Sequence, residues 1–441
     1  MIQHTYHERV ENLMDPSANI VLKGSIAEAE DALARGDAKA LGQISGQFAL
    51  MHRDGKTVRM ARSIGRPMRY FLAKRAEGPC LVVAERMDEI RDFLEAEGLG
   101  DQFHPSYTRM VPAHYIVELE LLGCPDPNPD YKRFFEPVRN RWSTDLDEIG
   151  RRYMQALARV CDAWLDTIPE HEPIGVFFSG GIDSGAVFLT IRHLMEAKGL
   201  APTRLKAFTL RVDGGTDADQ AQTFMQSLGH SLYLEVVDVA REDLDYADAV
   251  RTIEDYKPLD VQSATACLAL SREIRARYPD WKYLIDGDGG DENLKDYPIE
   301  ENSELTIRSV LNNLMLYQEG WGVHAIKHSL TYSGGQSRGH VRSWAPVRRF
   351  GFSGFSPFAV TDVIEVAEGI PFIELTDWDH DRLYALKGEI VRRGIRQLTS
   401  EDMPVFEKCR FQQGAVTPEV YDEVFPANEA PYRRAFSAAY P

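Results

Sequence analysis

Apolar and polar positions alternate between residues 44 and 90 in the manner of strands and tight turns. ISGQFALMHRDGKTVRMARS predicts two strands around Arg53-Asp54-Gly55-Lys56, and RYFLAKRAEGPCLVVAE repeats the pattern around Glu77-Gly78-Pro79. MDEIRDFLEAEG then takes helical spacing and closes at Gly98. From Ser143 the period lengthens. DLDEIGRRYMQALARVCDAWLDTI puts Ile149, Tyr153, Ala156, Val160 and Trp164 on one helical face. Beyond it the short apolar runs IGVFF, LKAFTLRV, LYLEVVDV and WKYLID are separated by helical segments such as SGAVFLTIRHLMEAKG and ADQAQTFMQSLG. That order predicts a parallel, doubly wound sheet. CPDPNPDYKRFF reads as a linker or exposed crossing, and residues 331–356, rich in Gly, Ser and Arg, as a loop.

Composition narrows the class without naming a chemistry. A chain of 441 residues, 44% hydrophobic and 27% charged, has room for two or three domains with real cores. No run approaches the roughly 18 apolar residues of a membrane helix, and MIQHTYHERVENLMDPSANI lacks the form of a secretory signal. Cys80, Cys124, Cys161, Cys267 and Cys409 lie far apart, without metal-ligand spacing. They are expected to be reduced thiols of a cytoplasmic protein. A net charge of −18 disfavours a nucleic-acid partner, although a local basic groove and a homodimer both stay open.

Chemistry enters at GVFFSGGIDSG. Ser179-Gly180-Gly181 ends a strand and opens a helix, where glycines let backbone N–H groups approach an anion. Ser179 and Ser184 add hydroxyl donors. This predicts a phosphate cradle that is not a Walker A loop, because GxxxxGK[ST] is absent. Asp183 would repel phosphate unless a cation lay between, and magnesium resolves the conflict. A glycine-rich turn with Asp183 as a helix cap is the alternative. Ser333-Gly334-Gly335 repeats the letters without a preceding strand or a following aspartate, and reads as loop only.

WKYLIDGDGGDENLKDYP ends a second apolar run in Asp286, Asp288, Asp291 and Glu292, with Gly287 among the intervening glycines. Carboxylates gathered on a strand-end loop repel one another unless a cation is held. An EF-hand fails, since the fifth position from Asp286 is Gly290 and the twelfth Tyr297. If the two strands are neighbours, Asp183 and Asp291 can share one magnesium. A solvated acidic turn is the alternative.

HEPIGVFFSGGIDSG followed by GDGGDE resembles the asparagine synthetase / β-lactam synthetase family, ATP pyrophosphatases with an SGGxDS loop. TFMQSLGHSLYLEVVD, LDVQSATACLALSREI, FSPFAVTDVIEVAEGIPF and FEKCRFQQGA extend the likeness toward the end of the chain. ISGQFALMHRDG, ARSIGRPMRYF and VAERMDEIRDFL resemble the second part of its glutaminase-type domain. The resemblance implies an α/β PP-loop synthetase domain over 138–441. Before it, over 1–137, would stand a smaller, truncated and inactive Ntn-type α+β domain. It implies adenylation of a substrate carboxylate by ATP with Mg2+, then displacement of AMP by a nitrogen nucleophile. Ser179, Gly180, Gly181, Asp183, Ser184 and Gly287 would hold ATP and pyrophosphate, Asp183 and Asp291 the magnesium. Lys408 would stabilise charge at the acyl centre.

Departures from the family pattern narrow this further. The chain opens Met1-Ile2-Gln3-His4, without the N-terminal cysteine of a glutaminase, and ISGQFAL comes early. No glutamine hydrolysis is expected, so the nitrogen comes from ammonia, an amine co-substrate, or an amine within the substrate. Asp288 occupies the variable position of the acidic loop, where amidating members carry an acid and β-lactam formers a tyrosine; a carboxylate there can serve as general base. Asp286 replaces a small residue and Val360 the aspartate of PFLD, which leaves the substrate pocket open. Arg338, Arg342, Arg348 and Arg349 could bind an acidic small-molecule or peptide substrate or close over phosphates; a solvated loop is the alternative. The leading expectation is an ATP-dependent amide synthetase. An intramolecular cyclase, a different SGGxDS enzyme (GMP synthetase, NAD synthetase or a tRNA-thiolating enzyme) and a non-catalytic relative are the rivals.

Overall fold

The computed structural model describes residues 9–75, 78–121, 128–215, 217–296, 299, 306–312, 338–406 and 415–440. They form two compact units. The first draws on Met1–Glu136 and Ser437–Pro441, the second on Pro137–Tyr317 and Arg338–Phe436.

In the first unit the strands are β1 (Arg9–Asn12), β2 (Ile20–Lys23), β3 (Ser45–Gln47), β4 (Ala49–Asp54), β5 (Thr57–Arg62), β6 (Arg69–Arg75), β7 (Gly78–Ala84), β8 (Arg109–Met110), β9 (Tyr115–Glu120) and β10 (Asp130–Arg133). Two four-stranded sheets, β1-β7-β6-β8 and β10-β9-β5-β4, enclose a core of Val58, Met60, Tyr70, Leu81, Val83 and Val117. Both hairpins expected from alternation are present as antiparallel pairs, Asp54 opposite Thr57 and Arg75 opposite Gly78. Each outer face is covered by helix. Helices α1 (Ile26–Ala34) and α2 (Ala38–Leu41) pack on Leu50, Ala61 and Ile116, and α3 (Met87–Ala96) packs on Phe71 and Val82. The result is a helix–sheet–sheet–helix α+β layering.

The second unit opens with α4 (Leu146–Leu165), whose apolar stripe Ile149, Tyr153, Ala156, Val160 and Trp164 is buried throughout. A five-stranded, all-parallel sheet follows: β11 (Ile174–Phe177), β12 (Leu205–Val212), β13 (Leu234–Val239), β14 (Tyr283–Ile285) and β15 (Ser353–Phe355). Its order is β13-β12-β11-β14-β15. The chain winds outward from β11 through β12 to β13, then returns to the other side of β11 for β14 and β15. The switch point therefore lies between β11 and β14, where open α/β sheets bind ligands at the carboxyl ends.

The crossovers are α5 (Ile182–Ala197), α6 (Asp217–Ser227), α7 (Tyr246–Ile253), α8 (Pro258–Arg277), α9 (Gly290–Leu294), α10 (Ile307–Asn312) and α11 (Arg338–Arg349). They are followed by α12 (Thr361–Glu368), α13 (Phe372–Thr376) and α14 (His380–Thr399). Residues 338–349 and 353–355 correct the expectation of a loop over 331–356. Gly339, Ser343 and Pro346 argue locally against a helix, but Trp344 and Val347 are buried, Val347 in the sheet's core with Phe208, Leu270 and Phe352. Tertiary burial outweighs weak propensity here. No described helix is long and apolar enough to cross a membrane.

Candidate active site

β11 delivers Ser179-Gly180-Gly181 to the switch point. Gly180 has φ +73°, and a Cβ on it would lie 2.8 Å from the Ala221 nitrogen of α6, so only glycine lets the loop lie against that helix. The loop is shaped by its own hydroxyls. The Gly181 N–H donates to Ser179 Oγ and the Ser179 N–H to Ser184 Oγ, both at 3.2 Å. Gly181 caps α5, and Asp183 sits in that helix's first turn rather than in a turn ahead of it. A helix N-terminus favours anions.

The acidic loop after β14 is pressed directly against this cradle. A Cβ on Gly287 would lie 2.8 Å from the Ser184 nitrogen, and one on Gly290 would overlap the Asp183 carboxylate. Gly289 takes φ +98° as the cap of α9. The glycines of GDGGDE thus bring two strand-end loops into contact.

A lysine joins them. Lys387 on α14 places Nζ 2.6 Å from Asp183 Oδ2, in hydrogen-bond contact with Asp291 Oδ1, and 3.4 Å from Asp296 Oδ2. Its side chain is 3% exposed. Burial works against its charge, but Asp183, Asp291 and Asp296 outweigh that and hold its pKa well above the ordinary value. Helix α14 is fixed by close packing on α4, where a Cβ at Gly150 would come within 2.6 Å of the Ile390 carbonyl oxygen.

Nothing in the motifs pointed to Lys387. The available signal was a lysine at helical spacing within the stripe Leu383, Leu386, Ile390, Val391 and Gly394, all of which are buried.

The two carboxylates expected to hold magnesium do converge. Among the described residues no three His, Cys, Asp or Glu donors gather at one metal position. Magnesium commonly takes one or two protein carboxylates and completes its shell with phosphate oxygens and water, so the donor set fits an ion that comes with a triphosphate.

Beside this centre lies a buried polar group. The Asp288 N–H donates to Asp286 Oδ1 at 3.0 Å, and Ser343 Oγ of α11 donates to Asp288 Oδ2 at 2.8 Å. Burial pushes the Asp286 carboxyl up to about 6, although Ser356, the Asp288 N–H and Ser343 hydrogen-bond to it. Burial and then the neighbouring Asp286 push Asp288 well above the carboxylate range. Arg342 Nε lies 3.1 Å from Asp260 Oδ1, and its Nη2 3.7 Å from Glu292 Oε1. Burial opposes that charge, but Asp260, Glu292 and Asp288 prevail.

The remaining expected residues divide. Arg349 turns to α7, with Nη1 2.6 Å from Thr252 Oγ1 and Nη2 2.9 Å from Asp248 Oδ1. Arg348 lies over the Trp344 ring at 5.9 Å. Arg338 begins α11, but its side chain lies outside the described residues, as do Lys408 and Ser333-Gly334-Gly335. Val360 is buried at the start of α12. A separate groove of about 760 Å³, lined by His171, Tyr278, Trp281 and Lys282, lies at the amino ends of the strands, away from both motifs.

Residues 165–349 match the asparagine synthase family model. Among similar proteins is an asparagine synthetase [glutamine-hydrolyzing] of Sandersonia aurantiaca, 30% identical over 139 residues, 30% of this chain and 25% of that protein. An amidase, chry2, of Gibberella zeae is 30% identical over 215 residues, 44% of this chain and 29% of that protein. The amidase chyE of Penicillium rubens is 24% identical over 206 residues, again 44% and 29%. The chain spans less than a third of the length of these relatives. The match falls on the stretch that carries α5, strands β11 to β14 of the parallel sheet and both strand-end motifs, so the likeness is to the asparagine synthase domain.

Proposed function

We propose that the second unit adenylates a substrate carboxylate with ATP and passes the acyl group to ammonia or an amine, forming an amide. The observation that carries this is the meeting of the two strand-end loops at the switch point, with Asp183 and Asp291 turned onto one buried cation. Two relatives are named amidases; in this chain a phosphate-binding loop beside a carboxylate pair would serve to make an amide bond rather than to hydrolyse one.

In this reading the Ser179–Gly181 loop and the first turn of α5 receive the pyrophosphate end of ATP. A substrate carboxylate oxygen bonds to the α-phosphorus as the bond to pyrophosphate breaks. The amine then bonds to the acyl carbon, AMP leaves, and the nitrogen gives its proton to Asp288. Magnesium, held by Asp183 and Asp291, would neutralise phosphate charge. Lys408 keeps the acyl-centre role that the family resemblance implies. Of the α11 arginines whose side chains are described, Arg342, beside Asp288 and Glu292, is the best situated to meet the substrate.

Free ammonia or an amine is the proposed donor, without glutaminase chemistry. In support, the three cysteines among the described residues, Cys80, Cys161 and Cys267, are buried, with burial pushing each thiol up, Cys80 to about 11; Cys124 and Cys409 lie outside the described residues. The test is pyrophosphate release across candidate carboxylates, with and without amines. ATP-dependent release that is lost in Asp183→Ala supports the reading; release by no acid, with no change in Asp183→Ala, removes it.

A further inference from the structure

Lys387 holds the position between the two carboxylates that the proposed reading gives to magnesium. The contact is built into the packing. The ammonium is almost wholly buried, touches Asp183 and Asp291 together, and has Asp296 behind it at 3.4 Å. It stands on a helix whose glycine Gly394 lies against Gly150 of α4, so the charge is delivered by a fixed element. A divalent ion entering between the same carboxylates would meet a fixed positive charge at short range in a poorly screened site. Negative charge from phosphates relieves that repulsion; water does not.

We propose that Lys387 is an internal counter-cation that reserves the Asp183–Asp291 pair, so that the protein takes up a divalent ion only together with a nucleoside triphosphate. This rests on the magnesium role proposed above and adds an order to it: metal and nucleotide enter as one ligand.

The experiment follows Mn2+ binding by electron paramagnetic resonance, without any turnover. The wild type is titrated alone and with α,β-methylene-ATP, and Lys387→Met and Lys387→Gln are titrated alone. The expected result is no saturable site in the wild type alone, and one site when the analogue is present. In either variant, the affinity for Mn2+ alone rises by about tenfold or more as the competing charge is removed. Melting temperature gives a second readout: Mn2+ alone stabilises the variants and leaves the wild type unmoved. A tight Mn2+ site in the wild type without nucleotide overturns the proposal, as do folded variants with no gain in affinity. If neither variant folds, the two wild-type titrations decide. Pyrophosphate release with tight nucleotide-free Mn2+ binding would sink this inference and spare the synthetase reading; the converse pattern would do the reverse.

Discussion

Gly290 and Asp183 lie so close that a single methyl group on the glycine would overlap the carboxylate. They belong to different motifs, on loops that follow adjacent parallel strands. This one contact converts two separate glycine-rich patterns into a single centre, and it states what the last glycine of GDGGDE does: it is a space left for Asp183.

Gly290→Ala is therefore expected to displace the Asp183 side chain, which can swing, while the fold adapts. Pyrophosphate release should fall by at least about tenfold with a stability loss under about 1 kcal/mol. Gly287→Ala meets backbone at 2.8 Å instead. It should cost about 1–3 kcal/mol in denaturant titration as well. Equal stability losses with equal activities would contradict the contact's role.

Asp286 gives a pH dependence of stability with a defined sign. Its folded pKa is raised from 3.8 to about 6. The folded state therefore binds the extra proton, and the contribution is favourable below about pH 4 and lost as pH rises through about 6. Asp286→Asn should be more stable than wild type at pH 7 by on the order of 1–3 kcal/mol, with the gain vanishing near pH 4. Urea titrations at the two pH values check this.

Asp288, as the proposed proton acceptor, should impose a rate that rises with pH. Asp286→Asn removes a like charge and should move that ascending limb toward acid. Ser343→Ala removes the hydroxyl that donates at 2.8 Å, which favours the ionised form. It should move the limb toward alkali and lower the neutral-pH rate about fivefold. A pH profile unmoved by either change would assign Asp288 a structural role.

Two of the arginines of α11, Arg342 and Arg349, should behave differently. Arg342→Met leaves the buried carboxylates of Asp260 and Glu292 without their cation and should cost about 3–5 kcal/mol of stability. Arg349 is 43% exposed and bonded to α7. Arg349→Ala should stay within about 1 kcal/mol of wild type and leave KM unchanged.

Much of this was legible in the chain, for identifiable reasons. The strand-end motifs announced themselves because glycines and aspartates at those ends have few other uses, and the alternation of apolar runs with helical spacing implied the parallel sheet. The switch point between β11 and β14 is what brought Asp183 and Asp291 together, as strand adjacency required. Lys387 was hidden because a lone lysine in a helix reads as solvated unless its face is known. Helix α11 was hidden by Pro346 and its glycine- and serine-rich approach, whose helical state depends on Trp344 and Val347 being buried.

Asp183, Asp291 and the Ser179–Gly181 loop are proposed to serve an adenylating reaction. That role is tested most directly by pyrophosphate release from ATP across a panel of carboxylates with ammonia or amines, in wild type and Asp183→Asn. One class of acid should drive release, AMP should form in equal amount, and Asp183→Asn should lose at least about a hundredfold, the scale of a lost electrostatic contact to reacting phosphate. ADP and phosphate as products, or acid-dependent turnover that is indifferent to Asp183, would contradict it.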